Sequence, residues 1–357
     1  MTAKIKTPLG IIEGFYGKYY PHSVRQFLMK KASSYGYSFY IYAPKNDSQL
    51  RSGWSKEPSL GFTDDLLKIS RTACANSLDF GFGISPLNLT SSWPDNREVF
   101  FERVVKLAYV TQAKIVAVLF DDVEVDSQTV GKMQNLIVRE VYSRLPKCVK
   151  KLIFCPTFYT FDPILEKLFG KKPQTYFEDI TKELPSNVEI FWTGNRVLSK
   201  DITRDDILLA QKELGDRIVL WDNYPVNDAK KLCGKLFTRP FAGRRGLDGF
   251  VRGHAVNPMN EGLLSSVALS SLPLIYKNYS QTEINKICDA EGASLLGKFY
   301  TDNKDIFLKL NDEGFDSLSK AEKNTLVAGE YRKNPAYYEF FDYLNGKYAF
   351  DPACLTS

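Results

Sequence analysis

The sequence predicts an α/β protein, a (β/α)8 TIM barrel with a C-terminal helical appendage. Short apolar runs alternate with helix-spaced apolar sets, and eight such strand–helix units can be counted. Their strands begin roughly 30 to 40 residues apart, the spacing of parallel strands joined by crossovers. The 357 residues suffice for a barrel of ~250 residues and a further segment. The alternative is an open doubly wound sheet, but no Gly-x-Gly-x-x-Gly follows the first strand.

The first four units are the clearest. Their strands are predicted at residues 9–12, 38–42, 78–84 and 115–120, and each is followed by apolar residues at helical spacing. Residues 115–120 form an unbroken apolar run, which is typical of a strand buried on both faces of a parallel sheet.

The second half completes the barrel and then changes character. Four further strands are predicted at residues 152–154, 188–191, 217–220 and 249–251. From about Ser280 the apolar residues keep helical spacing with no strand between them. The sequence therefore predicts a catalytic barrel over residues 1–277 and a helical appendage over residues 278–357.

Composition excludes several classes of protein. A net charge of +5 with interspersed signs is typical of a solvated surface, so we expect neither nucleic-acid binding nor membrane association. No apolar run approaches the ~20 residues of a membrane span, and the N-terminus lacks a signal-peptide core. The six cysteines are scattered, which predicts thiols in a reducing compartment and no structural zinc. We therefore expect a cytoplasmic protein.

Polar and aromatic side chains follow most of the predicted strands. In a barrel these carboxyl ends meet at one rim, where enzymes of this architecture place their sites. Six of the eight ends carry such residues: Lys45 and Asn46, Asn88, Asp121 and Asp122, Tyr159, Asp222 and Asn223, and Asn257. The clustering predicts a sugar-binding pocket at this rim.

Asp121 and Asp122 end the strongest predicted strand. They could be solvated acids of a surface loop, which is the commoner case. Consecutive strand residues point to opposite faces, so we expect the two acids to have different roles. One would orient a group carried by the substrate, and the other would reach the leaving-group oxygen. The acetamido group of a 2-acetamido sugar offers such an internal nucleophile.

Several motifs together resemble glycoside hydrolase family 84, which contains protein O-GlcNAcases and bacterial β-N-acetylglucosaminidases. They occur in family order across about residues 9–276. The motifs are Gly14-Phe15-Tyr16-Gly17, Tyr42-Ala43-Pro44-Lys45-Asn46-Asp47, Leu119-Phe120-Asp121-Asp122, Cys155-Pro156-Thr157, Trp192-Thr193-Gly194, Trp221-Asp222-Asn223, Asn227-Asp228 and Asn257-Pro258.

The resemblance implies a role for each matching residue. Asp121 would hold the acetamido N–H, and Asp122 would be the general acid and then the base that hydrolyses an oxazoline intermediate. The residues implied to bind substrate are Gly14, Lys45, Tyr159, Trp221, Asn223, Asp228 and Asn257. Among these, Tyr159 would act at the reacting centre, Trp221 would form a wall, and the backbone of residues 14–17 would line the floor. Lys45 and Asp228 could instead form an ordinary ion pair. No metal or cofactor is implied.

Two positions depart from the family pattern. Ser85-Pro86-Leu87-Asn88 replaces the usual Ser-Pro-Gly-Leu-Asp, and Ala229 stands where an aromatic residue is common after Asn227-Asp228. We expect both changes to affect the acceptor preference more than the reaction.

The resemblance predicts a retaining hydrolase that removes terminal β-linked N-acetylglucosamine from a protein, glycan or small glycoside. The sequence leaves the acceptor and the oligomeric state open. Two other functions stay open: a lectin-like barrel without turnover, and an interaction protein acting through its helical tail. The presence of both Asp121 and Asp122 favours the enzyme.

Overall fold

A computed structural model describes residues 5–125, 127–327 and 334–355. Eight parallel strands close into a barrel in sequence order, as predicted. They are β1 (Leu9–Glu13), β2 (Phe39–Tyr42), β3 (Asp79–Ile84), β4 (Ile115–Leu119), β5 (Lys151–Cys155), β6 (Val188–Trp192), β7 (Ile218–Asp222) and β8 (Gly253–Val256). The barrel closes where Leu9 of β1 pairs with His254 of β8.

Helices surround the barrel. They are α1 (His22–Tyr35), α2 (Leu60–Ala75), α3 (Trp93–Thr111), α4 (Val130–Arg144), α5 (Ile164–Phe169), α6 (Tyr176–Thr181), α7 (Arg204–Leu214), α8 (Gly262–Leu269) and α9 (Leu272–Tyr276). The connection from β7 to β8, residues 223–252, consists of turns and loops without a helix. This long connection carries several side chains of the candidate site described below.

The strand patterns follow from burial on both faces. Every residue of β4 is buried, because its inner face fills the barrel and its outer face meets helices. Side chains from all eight strands belong to a single hydrophobic cluster. The barrel is therefore filled with packed side chains, and a ligand at the barrel would lie beyond the strand ends.

The prediction of the eighth strand at residues 249–251 was wrong. Gly249 has φ +75°, which suits a turn, and the strand begins at Gly253. The strand contains His254, which is fully buried although it is polar. Its Nε2 lies 3.0 Å from Asp222 Oδ2 and its Nδ1 lies 2.9 Å from the Tyr276 hydroxyl. These two partners, which are distant in sequence, satisfy the hydrogen-bonding groups of the buried His254 ring. The polar ring does not fit the apolar pattern from which a buried strand is predicted.

Further helices follow the barrel. They are α10 (Gln281–Leu296), α11 (Lys298–Asp302), α12 (Lys304–Asp312), α13 (Lys320–Val327) and α14 (Pro335–Leu344), with a 3-10 turn at Phe315–Ser317. Among the described residues no strand occurs after β8, as the spacing predicted. The predicted barrel and appendage begin and end with residues 1–4 and 356–357, which lie outside the described part of the chain. The boundary between them at residue 277 stays a prediction.

A second hydrophobic cluster joins these helices to the barrel. It combines Met259 and Leu264 from the barrel side with Phe299, Phe307 and Phe340 from the later helices. A buried carboxylate adds to this contact, because Glu339 of α14 accepts the backbone N–H groups of Leu263 and Leu264 at 3.0 and 2.8 Å. This carboxylate caps the N-terminus of α8 and complements the helix dipole.

None of the described helices is long and apolar enough to cross a bilayer.

Candidate active site

A cavity lies at the carboxyl ends of the strands. All nine residues predicted for the site line it: Gly14, Lys45, Asp121, Asp122, Tyr159, Trp221, Asn223, Asp228 and Asn257. The cavity is also lined by Tyr16, Cys155, Thr193, Val197, Leu198, Val226, Ala229 and Cys354, which sequence reasoning did not single out as binding side chains. The structure therefore brings together residues from both halves of the barrel and one from the far C-terminal segment.

Asp121 is held by one of its two carboxylate oxygens. Its Oδ2 lies 2.5 Å from Lys45 Nζ, and both side chains are almost completely buried. Lys45 Nζ also lies 3.4 Å from Ser85 Oγ. The alternative ion pair between Lys45 and Asp228 is not formed, because the ammonium group is committed to Asp121.

The second oxygen of Asp121 is different. Oδ1 is buried, and among the described residues it has no hydrogen-bond partner. Leaving a buried carboxylate oxygen unsatisfied is costly, and such a group in a cavity marks a place where a ligand donor fits. The carboxylate is thus fixed by Lys45 on one side and open to a ligand N–H on the other.

Asp122 lies beyond the strand. β4 ends at Leu119, and Asp122 has φ +58°, in the left-handed region. The expectation that the two acids point to opposite faces of a strand was therefore wrong. The turn brings Asp121 and Asp122 to the same cavity, and what distinguishes them is their partners.

The partners of Asp122 are two tyrosine hydroxyls. Tyr16 donates to Oδ2 at 2.8 Å, and Tyr159 donates to Oδ1 at 3.3 Å. Burial raises the pKa of Asp122, and the neighbouring negative charge of Asp121 raises this pKa further, while Lys45 opposes the shift. Asp122 is therefore more easily kept protonated than an ordinary aspartate in water.

Tyr16 belongs to a motif of which only the backbone was predicted to line the floor. In the structure its side chain holds Asp122, and the Arg51 guanidinium lies 5.6 Å from its ring centroid, within range of a cation–π contact. The sequence shows only that Tyr16 lies between two glycines, at positions 14 and 17, and does not identify its partner. Its contact with an acid 106 residues later depends on barrel closure.

Trp221 and Gly14 both line the cavity, and we call the unit that they form its floor. The Trp221 ring packs edge-on against Phe191 with centroids 5.1 Å apart. Gly14 lies so close that a Cβ there would stand 2.1 Å from Trp221 Cζ2, so the position requires glycine. The Gly14 N–H also donates to Asn257 Oδ1 at 3.1 Å. The predicted wall and floor residues thus form one packed unit.

The two asparagines are linked to this floor. Asn223 Oδ1 accepts from Trp221 Nε1 at 3.0 Å and from Asn257 Nδ2 at 3.1 Å, and Asn223 Nδ2 donates to the carbonyl of Val197 at 2.9 Å. These bonds fix the orientation of both amides. Both side chains are held in place before a ligand arrives.

Asp228 lies on the long connection between β7 and β8. Its Oδ2 accepts the backbone N–H of Tyr16 at 2.8 Å. Burial raises the pKa of Asp228 to about 6, and the negative charge of Asp122 contributes in the same direction. The carboxylate can accept hydrogen bonds near neutral pH.

Three other predicted rim residues do not line the cavity. Asp222 is buried beneath it, where it accepts from Arg244 Nε and Nη2, both at 2.8 Å, and lies beside His254. This pairing holds the pKa of Asp222 well below its usual range. Asn46 and Asn88 are exposed side chains of turns. His254 thus belongs to the buried network around Asp222 and does not line the cavity.

Within residues 5–125, 127–327 and 334–355, no group of three or more His, Cys, Asp or Glu side chains is arranged to hold a metal ion. The chemistry that the cavity offers is that of two adjacent, unlike carboxylates, two tyrosine hydroxyls and an apolar floor.

A family model and curated proteins that are similar to this chain agree with one another. The model of a family described as beta-N-acetylglucosaminidase matches residues 9–310. The protein O-GlcNAcases of Rattus norvegicus and Mus musculus are each 28% identical over 322 residues, covering 86% of this chain and 33% of the relative. The chain thus spans about a third of the length of these curated relatives.

Two solved structures are similar in fold. A mutant of the O-GlcNAc hydrolase of Thermobaculum terrenum has a TM-score of 0.77 at 22% identity, covering 95% of this chain and 80% of the other. CpGH84B has a TM-score of 0.72 at 25% identity, covering 95% of this chain and 60% of the other. The arrangement of strands and helices is common to all three.

Proposed function

The chain belongs to the β-N-acetylglucosaminidase family, and from this premise we propose that it hydrolyses terminal β-linked N-acetylglucosamine with retention, through an oxazoline intermediate. The observation that carries the proposal is the pair of unlike acids. Asp121 has one oxygen fixed by Lys45 and one without a protein partner, and beside it Asp122 has a raised pKa. Substrate-assisted glycoside hydrolysis needs one acid of each kind.

In the first step Asp121 Oδ1 accepts the N–H of the acetamido group. This bond turns the acetamido carbonyl towards the anomeric carbon and stabilises the positive charge that develops on the amide. The carbonyl oxygen forms a bond to the anomeric carbon as the glycosidic bond breaks. Lys45 keeps the carboxylate in position throughout, because its ammonium group is bound to the other oxygen.

Asp122 supplies the proton. As the glycosidic bond breaks, the Asp122 carboxyl protonates the leaving oxygen, which its raised pKa favours. In the second step the resulting carboxylate takes a proton from water, which attacks the anomeric carbon and opens the oxazoline. Tyr16 and Tyr159 hold the carboxylate in both steps, since each donates a hydrogen bond to one oxygen.

We propose that the remaining residues bind the sugar. Trp221 lies under the ring as an apolar floor, and the Gly14 backbone allows close approach. Asp228, Asn223 and Asn257 offer acceptors and donors for hydroxyl groups or the acetamido group. They are supported in this role by their places in the cavity wall and by the fixed orientation of the amides.

The acceptor that we propose is a protein bearing N-acetylglucosamine, because the curated relatives are named protein O-GlcNAcases. A cytoplasmic location fits such a substrate. The described cysteines form no disulfide with one another, which supports a reducing compartment. A sugar-binding barrel without turnover is the second candidate, and its supporting observation is that the floor and amides are fixed without any substrate.

The test uses an aryl N-acetyl-β-glucosaminide. Purified protein should release the chromophore, and the first sugar product should be the β-anomer. Asp122→Asn should lower kcat on a peptide-linked sugar by about 10²–10⁴-fold. Asp216→Asn is the matched control, because it removes an exposed carboxylate from the opposite end of the barrel. Binding of N-acetylglucosamine without turnover would support the sugar-binding alternative, and an inverted product would contradict the mechanism.

A further inference from the structure

The segment after α14 returns to the candidate site. The ring of Tyr348 lies 5.6 Å from Lys18 Nζ, on the loop that follows β1. Asn46, on the loop that follows β2, donates through Nδ2 to Asp351 Oδ2 at 2.7 Å and to the carbonyl of Gly17 at 3.1 Å. We call residues 350–355 the C-terminal strap. Its Asp351 accepts from the loop after β2, and Tyr348, just before the strap, contacts the loop after β1. Both loops contribute residues to the cavity wall.

A turn within the strap aims one side chain inward. The Asp351 carbonyl accepts the N–H of Cys354 at 3.0 Å, and Asp351 Oδ1 accepts the N–H of Ala353 at 2.9 Å. Cys354 is consequently only 5% exposed and lines the cavity, while the next residue, Leu355, is 50% exposed. The strap thus has one residue in the wall and a neighbour that faces solvent.

The position of Cys354 identifies the side of the cavity that the strap covers. Tyr16, Ala229 and Cys354 form a small buried apolar cluster. The hydroxyl of Tyr16 in turn donates to Asp122. The strap therefore lies on the Asp122 side of the cavity and is linked to it through Tyr16, whereas Trp221 forms the floor.

We propose that the C-terminal strap determines acceptor specificity by narrowing the leaving-group side of the cavity. This inference rests on the proposed function, in which Asp122 protonates the glycosidic oxygen and so marks where the acceptor begins. The wall at that point is made of the Tyr16 ring, the Ala229 methyl group and the Cys354 side chain, and none of them is charged. Such a wall admits an acceptor that is narrow beside the glycosidic oxygen, such as a serine side chain, and excludes a second pyranose ring.

The experiment compares two substrates that share the same sugar. One is a peptide with N-acetylglucosamine on serine, and the other is the β-linked disaccharide of N-acetylglucosamine. The measured quantity is the ratio of kcat/KM on the disaccharide to kcat/KM on the glycopeptide. Inhibition by free N-acetylglucosamine reports on the sugar pocket alone and also shows that each variant is folded.

Three variants change the strap in different ways. A chain that ends at residue 349 opens the wall and should raise the ratio about tenfold, whereas Cys354→Leu fills it and should lower the ratio about tenfold, the scale of discrimination by added apolar groups. Leu355→Ala is the matched control in the same segment and should leave the ratio within about twofold. The inhibition constant of free N-acetylglucosamine should change by less than about twofold in all three.

An unchanged ratio, or shifts of the same sign for the truncated chain and Cys354→Leu, would overturn the proposal. So would a parallel change in inhibition by the free sugar, because the strap would then act on the sugar pocket. If the truncated chain does not fold, the contrast between Cys354→Leu and Leu355→Ala decides. If the unaltered chain binds both substrates without cleaving them, dissociation constants replace kcat/KM and only the proposed hydrolysis fails. If it binds neither, both proposals fail.

Discussion

Replacing Lys45 by methionine tests the buried ion pair on which the proposed orientation of the substrate depends. The Lys45 and Asp121 side chains are 2% and 9% exposed, and Nζ lies 2.5 Å from Oδ2. Methionine keeps the length and apolar character of the lysine stem but leaves the Asp121 carboxylate buried without its cation. The change therefore isolates the charge interaction with little change in packing.

The expected loss of stability can be derived from this geometry. Two unit charges 2.5 Å apart attract by about 7 kcal/mol at an effective dielectric constant of 20. Desolvation of both groups offsets part of this energy, and removal of one partner of a buried pair costs about 3–5 kcal/mol. We expect Lys45→Met to lower the free energy of unfolding by about 3–5 kcal/mol. Removing both charges, in Lys45→Met with Asp121→Asn, should restore much of the loss.

Urea unfolding of the two single variants and the double variant at pH 7 measures this coupling. Lys347→Met is the control, because it removes an ion pair with Asp342 whose side chains are 57% and 27% exposed, and it should cost at most about 1 kcal/mol. A loss of the same small size for Lys45→Met would refute the reasoning. So would a double variant that is no more stable than the Lys45→Met protein.

The same variants shift the pH dependence of activity in opposite directions. The positive charge of Lys45 lowers the pKa of Asp122, and the negative charge of Asp121 raises it. Lys45→Met should therefore move the alkaline limb of kcat/KM to higher pH, and Asp121→Asn should move it to lower pH. The residual activity of both variants on a glycoside with a poor leaving group, which needs the proton of Asp122, gives these profiles. Shifts of equal sign would contradict the assignment of the acid.

The other predictions concern catalysis, packing, titration and cofactor need. Asp122→Ala should lose about 10²–10⁴-fold on an alkyl-linked sugar but much less on an acidic aryl glycoside, as a leaving-group series will test. Gly14→Ala should abolish sugar binding in calorimetry, because the added Cβ would stand 2.1 Å from Trp221 Cζ2; wild-type affinity would contradict this. Burial raises the pKa of Glu261 to about 7 from the usual value of 4.5. The contribution of Glu261 to the free energy of unfolding is therefore complete below about pH 4.5 and is lost as pH rises through 7. Urea titrations between about pH 4 and 8 should show this fall of about 3 kcal/mol in the unmutated protein, and Glu261→Gln should remove it. Chelator treatment should leave activity unchanged, and restoration by a divalent ion after such treatment would refute the mechanism.

Sequence patterns predicted those parts of the fold that depend on local burial. The apolar run from Ile115 to Leu119 has the pattern of a strand covered on both faces, and the structure places β4 there. The strand containing His254 was missed for the opposite reason. Its polar side chain is stable inside the protein only because Asp222 and Tyr276 lie beside it, and neither is a near neighbour in sequence.

In the candidate site, too, local motifs predicted which residues are present, and long-range contacts determined their partners. Motifs were enough to predict nine of the residues that line the cavity, since the ends of all strands meet at one rim. They could not give the pairing of Lys45 with Asp121, which depends on side-chain reach across two strands. They also could not show that Asp122 adopts a left-handed conformation or that Cys354 enters the wall, because both depend on tertiary contacts.

The span of chain that encloses the cavity has a consequence for biosynthesis. Gly14 and Cys354 are both wall residues, and the barrel itself closes only when β8 pairs with β1. A ribosome must therefore synthesise nearly the whole described chain before the cavity can close. A chain that stops before residue 354 lacks the Cys354 side chain of the cavity wall.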